Sequence, residues 1–135
     1  LLIELEDWKR LGGFHEDFFM YGEEADLCLR AATMVRARPK TTPDARIVHH
    51  GGASEKVRAD KMVRLLKAKT MLIRRHFPAA QRPLALALFT AWPLSRWLAA
   101  QTLARVSGKL TWKARSQTWA EIWGRRAEWR GRGAG

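Results

Sequence analysis

Glu23, Glu24 and Asp26 sit within four residues, immediately ahead of an apolar segment. Carboxylates so placed are candidates for general-base work, taking the proton of an attacking hydroxyl. On a helix beginning near Glu23, Glu24 lies three residues before Leu27 and four before Cys28, so it shares their buried-facing side. Partial burial makes a carboxylate a stronger base. The same three acids also read as plain helix-dipole partners, with Asp26 pairing with Arg30 one turn on. Spacing alone leaves both readings open.

A second constellation is His49 and His50 followed by Gly51 and Gly52. A histidine ending a strand, with glycines that let backbone and ligand approach closely, suits a divalent-metal or phosphate contact. Adjacent strand residues point to opposite faces, so at most one of the two histidines is a ligand. A purely structural histidine fits equally, and the spacing of a zinc site is absent.

The elements that must position these residues follow from periodicity. Leu1 to Glu4 is apolar enough for a short strand, and Glu6 to Leu11 forms a brief helix stopped by Gly12 and Gly13. Phe14 to Tyr21 reads as an aromatic loop. From Glu23 to about Val35, Leu27, Cys28, Ala31 and Met34 recur at helical spacing, with three acids in the first turn. Pro39 and Pro43 bound a loop, and Ala45 to His49 reads as a strand. Between Ala59 and Phe77 an amphipathic basic helix is expected, ended by Pro78. The apolar stretch Pro83 to Val106 is broken by Pro93 and Arg96. Its longest charge-free run, Pro83 to Ser95, falls short of the roughly 20 residues a membrane span needs. Trp112, Ser116, Trp119 and Trp123 then share one helical stripe.

Taken together, GGFHEDFFMYGEEADLCLR and the later TPDARIVHHGGAS resemble the C-terminal half of the catalytic domain of family 2 glycosyltransferases, especially rhamnosyltransferase-like members. The resemblance covers residues 1 to 54, and more loosely extends to Phe77. It implies an α/β fold: the C-terminal portion of a GT-A-type nucleotide-diphospho-sugar transferase over 1–77, then a mostly α-helical, basic Trp/Arg-rich region over 78–130 and a disordered tail over 131–135. It also implies an inverting transfer of sugar from a nucleotide-sugar donor to a lipid-linked or saccharide hydroxyl acceptor, in cell-surface polysaccharide or glycolipid synthesis.

By position, the family's acidic motif falls on Glu23, Glu24, Ala25 and Asp26, with Glu24 as the base where many members have Asp. Asp26 and Arg30 orient the helix, and Arg30 is also assigned to the donor side. Phe18, Phe19, Met20 and Tyr21 border the acceptor site, Phe19 and Tyr21 foremost. His49 stands where a histidine helps hold a divalent metal, Mg2+ or Mn2+, on the donor diphosphate, and His50 occupies a variable position. His15 stands where an Asp is common. The family's nucleotide-binding half, with its Asp-x-Asp motif, would precede Leu1, so the 135 residues by themselves are expected to bind donor weakly and to be inactive.

Charge is segregated along the chain. The net charge is +12 overall, yet residues 1 to 54 hold nine acids against seven Lys/Arg, and residues 55 to 135 hold four against eighteen. A basic half in which tryptophan and Lys/Arg alternate suits a peripheral contact with anionic lipid at the cytoplasmic face of a membrane, and packing of these helices on their neighbours is the other account of the same residues. A rival reading of the whole chain is a non-catalytic basic module for membrane or nucleic acid. The acidic first 26 residues would repel phosphates, so nucleic acid is not expected as a partner. One cysteine, Cys28, excludes an internal disulfide framework and fits a reducing cytoplasmic setting.

Overall fold

In the computed structural model, residues 1–37, 40, 42–44, 46–48 and 58–131 are described, without the side chain of Arg58. They form six helices: α1 (Leu5–Leu11), α2 (Glu23–Met34), α3 (Arg58–His76), α4 (Arg82–Ser107), α5 (Leu110–Gly124) and α6 (Arg126–Arg130). The chain divides into two compact units, Leu1–Lys56 and Val57–Gly135. Thus α3 belongs with the C-terminal helices, whereas the resemblance puts its boundary after residue 77.

The first unit is a pair of helices around a small core. Acids in the first turn of α1 and bases in its last turn match the helix dipole. The helix stops where Gly12 and Gly13 take left-handed φ values of 73° and 70°, returning their N–H groups to the carbonyls of Lys9 and Trp8 at 3.1 Å each. A Cβ at Gly13 would lie 3.0 Å from Trp8 Cζ2, so the position demands glycine on both counts. In α2, Leu27 and Ala31 are one turn apart and bury together against Leu11. Ile3, Trp8, Val35 and Ala37 cover them.

The α/β architecture is not what the described residues form, because they contain no strand. Leu1 to Glu4 is irregular, with Leu1 and Leu2 in solvent and only Ile3 reaching the core. Of the expected strand at 45–49, Arg46, Ile47 and Val48 are exposed and outside any ladder, while Ala45 and His49 lie outside the described residues. β-branched residues favour a strand only where a neighbouring strand supplies cross-strand contacts and hydrogen bonds.

The second unit is a four-helix cluster. Met62, Val63 and Leu66 recur along α3 at the spacing of one face and bury with Ala59, Ile122 and Trp129. α4 and α5 are joined by a short turn at Gly108, φ 64°, and pack along each other. Pro93, which with Arg96 interrupts the apolar stretch, lies inside α4 and is buried there without ending the helix. A helical proline forfeits one backbone hydrogen bond at some cost, and burial of its ring offsets it. Trp129 is fully buried, and its indole Nε1–H donates to the Ile122 carbonyl at 3.0 Å, near the end of α5. Arg125 fastens α3 to the α5–α6 corner through Asp60 at 2.5 Å and Glu128 at 2.8 and 2.9 Å. That hydrogen bonding holds the Glu128 carboxyl below the usual carboxylate range. The link is therefore complete at neutral pH, above the unfolded pKa, and is lost as acid takes the pH down through the lowered one.

Truncating Trp129 to Ala should destabilise this unit by about 3–5 kcal/mol, the range for removing a buried large aromatic side chain. Denaturant titration followed by circular dichroism measures it. A midpoint equal to that of the parent chain would refute Trp129 as the anchor.

Candidate functional site

The acidic turn is held in place by a buried cation. Asp26 has no exposed surface and accepts a hydrogen bond from Arg30 Nε at 2.7 Å. The other two Arg30 nitrogens donate to backbone carbonyls at and just after the end of α1: Nη1 to Leu11 at 2.5 Å and Nη2 to Gly13 at 2.7 Å. Every nitrogen of the guanidinium is thus engaged, its planar fork spanning one carboxylate and two carbonyls. The side chain of Arg30 is only 13% exposed. The geometry gives Arg30 and Asp26 a positioning role within this unit, three of the five guanidinium N–H groups being engaged by Asp26, Leu11 and Gly13.

The three acids therefore separate by environment. Asp26 is structural. Glu23 is half-buried, and its Oε2 is buried with no hydrogen-bond partner among the described residues. An unsatisfied buried carboxylate oxygen costs on the order of 1–3 kcal/mol, which a donating hydroxyl or water would relieve. Glu24 is exposed, so the burial expected from its place three residues before Leu27 does not hold. Cα–Cβ bonds tilt toward the helix N-terminus, and a first-turn side chain therefore overhangs the end of the helix instead of covering the core.

The approach to α2 is also unusual. Tyr21 has φ 72° and Gly22 φ 90°, two consecutive left-handed residues directly before the helix. A non-glycine residue there costs on the order of 1–3 kcal/mol and is retained only where its surroundings impose it. Phe18 is buried and packs edge-on to His15 at 6.4 Å. Phe19, next in sequence, is 84% exposed. Of the pair assigned to the acceptor side, Phe19 offers an open ring and Tyr21 is half-buried. His15 accepts a hydrogen bond at Nδ1 from the Asp17 backbone N–H at 3.3 Å, stabilising the loop where an Asp was expected.

Thus Phe19, Tyr21, Glu23, Glu24, Asp26 and Arg30 belong to one continuous, locally braced segment. The assigned metal ligand, His49, lies outside the described residues, as do His50 and the glycines after it. Among the described residues there is no group of three or more His, Cys, Asp or Glu side chains able to hold a metal ion. The sequence reading missed the clamp on Leu11 and Gly13. Its traces were present in the Asp26–Arg30 spacing and in the glycine pair, but nothing local shows that the two meet.

Replacing Arg30 with Gln should remove the cation that balances the buried Asp26 carboxylate, a loss of about 3–5 kcal/mol that opens α2. Arg30→Lys should recover little, because one ammonium cannot satisfy three diverging acceptors. Hydrogen exchange at the Leu27 and Ala31 amides reports the opening, and protection unchanged in Arg30→Gln would dismiss the clamp. The chain matches no family model, no curated protein and no solved structure, so the geometry of this turn is what speaks for its chemistry.

Proposed function

We propose that the unit Leu1–Lys56 supplies the general base of an inverting glycosyl transfer, moving sugar from a nucleotide-diphospho-sugar to a hydroxyl acceptor of a surface polysaccharide or glycolipid. One observation carries the reading: neighbouring carboxylates at the head of a clamped helix have been given opposite environments, Glu24 open to solvent and Glu23 half-buried with an unpaired oxygen. Pairs of titratable groups in contrasting surroundings are how acid–base sites divide their tasks. The resemblance of GGFHEDFFMYGEEADLCLR to family 2 glycosyltransferases points to the same residue.

In this reaction the Glu24 carboxylate accepts the proton of the acceptor hydroxyl as its oxygen bonds to the anomeric carbon. The carbon–oxygen bond to the diphosphate breaks on the opposite face, its electron pair leaves with the nucleoside diphosphate, and the anomeric configuration inverts. Phe19 borders the acceptor, and Asp26 and Arg30 act only by fixing the turn. The divalent metal implied by the resemblance depends on His49, and the steps here rest on the carboxylates alone.

Nucleoside diphosphate release from a panel of nucleotide sugars, with a membrane-lipid extract as acceptor, tests the assignment in the native protein. Glu24→Gln should lower turnover by at least about a hundredfold, the contribution of a positioned base, with unfolding unchanged because the side chain is exposed. Glu24→Asp should retain measurable transfer. Retention of more than about a tenth of the parent rate in Glu24→Gln would sink Glu24 as the base.

A further inference from the structure

Helix α4 is apolar on nearly every side, a pattern that belongs to a helix covered all round, yet one side of it is open. Pro93 and Ala100 are buried, and Phe89 packs on the core. On the other side Leu84, Leu88, Trp92, Leu103 and Val106 are all exposed, Leu84 and Leu88 at 65% and Val106 at 81%. At about 100° per residue they fall within one stripe roughly 100° wide. At about 1.5 Å per residue it runs roughly 33 Å. Leu84, Leu88 and Trp92, the last edge-on to Trp119 at 5.6 Å, make one run and Leu103 and Val106 a second, with the small residues Ser95, Ala99 and Thr102 between them. Isolated surface leucines need no explanation, but their alignment on one side does.

The charges around it point to what covers it. Asp60, Glu121 and Glu128, the described carboxylates of this unit, all gather on Arg125. Arg96 and Arg115 have no carboxylate partner among the described residues and lie over Trp92 and Trp112, at 5.8 and 4.8 Å from the ring centroids. Both arginines line a groove of about 460 Å³ between α4 and α5, which Trp92 and Leu103 also line. No acid lines it.

We propose that the exposed stripe of α4 docks on an anionic lipid surface, the helix lying in the interface with Leu84, Leu88, Trp92, Leu103 and Val106 at the acyl boundary and Arg96 and Arg115 against headgroup phosphates. No described helix is long and apolar enough to cross a membrane, and an in-plane helix needs no such length. A second copy of the chain would bring the same cations face to face. Nucleic acid would engage the arginines and leave the leucines without an apolar partner. This docking does not depend on the glycosyl-transfer reading.

Cosedimentation of the full chain with phosphatidylcholine vesicles containing about a third phosphatidylglycerol tests it. The chain should bind these vesicles at least about tenfold more tightly than pure phosphatidylcholine. Leu84→Ser with Leu88→Ser, both exposed in the parent and checked by circular dichroism, should weaken binding about tenfold or more. Arg96→Gln with Arg115→Gln should reduce the preference for anionic vesicles by about tenfold. Equal binding to neutral vesicles, or full binding by the double Leu variant, would overturn the proposal. So would a dimer, seen by light scattering, that the double Leu variant dissociates, for the stripe would then face a second copy.

Discussion

Arg30 sets one cation where three acceptors converge, the Asp26 carboxylate and the carbonyls of Leu11 and Gly13. A carboxylate with no solvent exposure is tolerable only when its desolvation, several kcal/mol per ion, is met by near-complete pairing. That requirement governs the rest of the first unit. The Leu11 carbonyl belongs to the last turn of α1, whose carbonyls have no partner within the helix. The Gly13 carbonyl reaches Arg30 only because Gly12 and Gly13 both turn left-handed. The Trp8 ring leaves no room for a Cβ at Gly13, so the helix α1, its stop and the acidic turn of α2 form one interdependent arrangement. The division of tasks among three neighbouring acids follows from it: once Asp26 is fixed inward, Glu23 and Glu24 are fixed at the helix head.

The second unit is organised by Trp129 and by an electrostatic consequence of Arg125. Trp129 meets the two demands of a buried indole, apolar contact all round and an acceptor for its N–H. Trp97 meets one of them. It stacks on Trp123 at 6.0 Å, but its Nε1 is buried with no partner among the described residues. Arg125 gathers Asp60, Glu121 and Glu128 about itself. A half-chain already short of acids thereby concentrates them at one corner, and cations such as Arg96 and Arg115 rest on tryptophan faces instead.

What the sequence made legible was periodicity and punctuation. The glycine stop after α1, the span of α2, the basic helix ended by Pro78 and the shared stripe of Trp112, Ser116, Trp119 and Trp123 on α5 depend on residues within one or two turns of each other, and all are present. The strands expected at 1–4 and 45–49 could not be decided in this way, because a strand is stabilised by residues remote in sequence, and residues 1–4 and 46–48 form none. The candidate site was legible in part. The i,i+4 pair of Asp26 and Arg30 could be read directly, whereas the attachment of Arg30 to α1 and the exposure of Glu24 follow from tertiary contact and from the direction of Cβ at a helix end.

The tryptophans show why the same chemistry supports two readings until burial separates them. Amphipathic rings among cations suit a lipid interface and suit a helical core equally well. In α5, Trp119 and Trp123 pack on the core around Ile122 and Trp129, so that part of the tryptophan stripe faces inward. In α4, Trp92 is partly open and continues a line of exposed leucines. An amphipathic helix is recognised by contrast between its faces, and α4 has little, since its inward and outward sides are both apolar. Its outer face becomes distinct only when α3 and α5 have covered the inner one. The docking surface is thus a product of packing rather than a pattern in the chain.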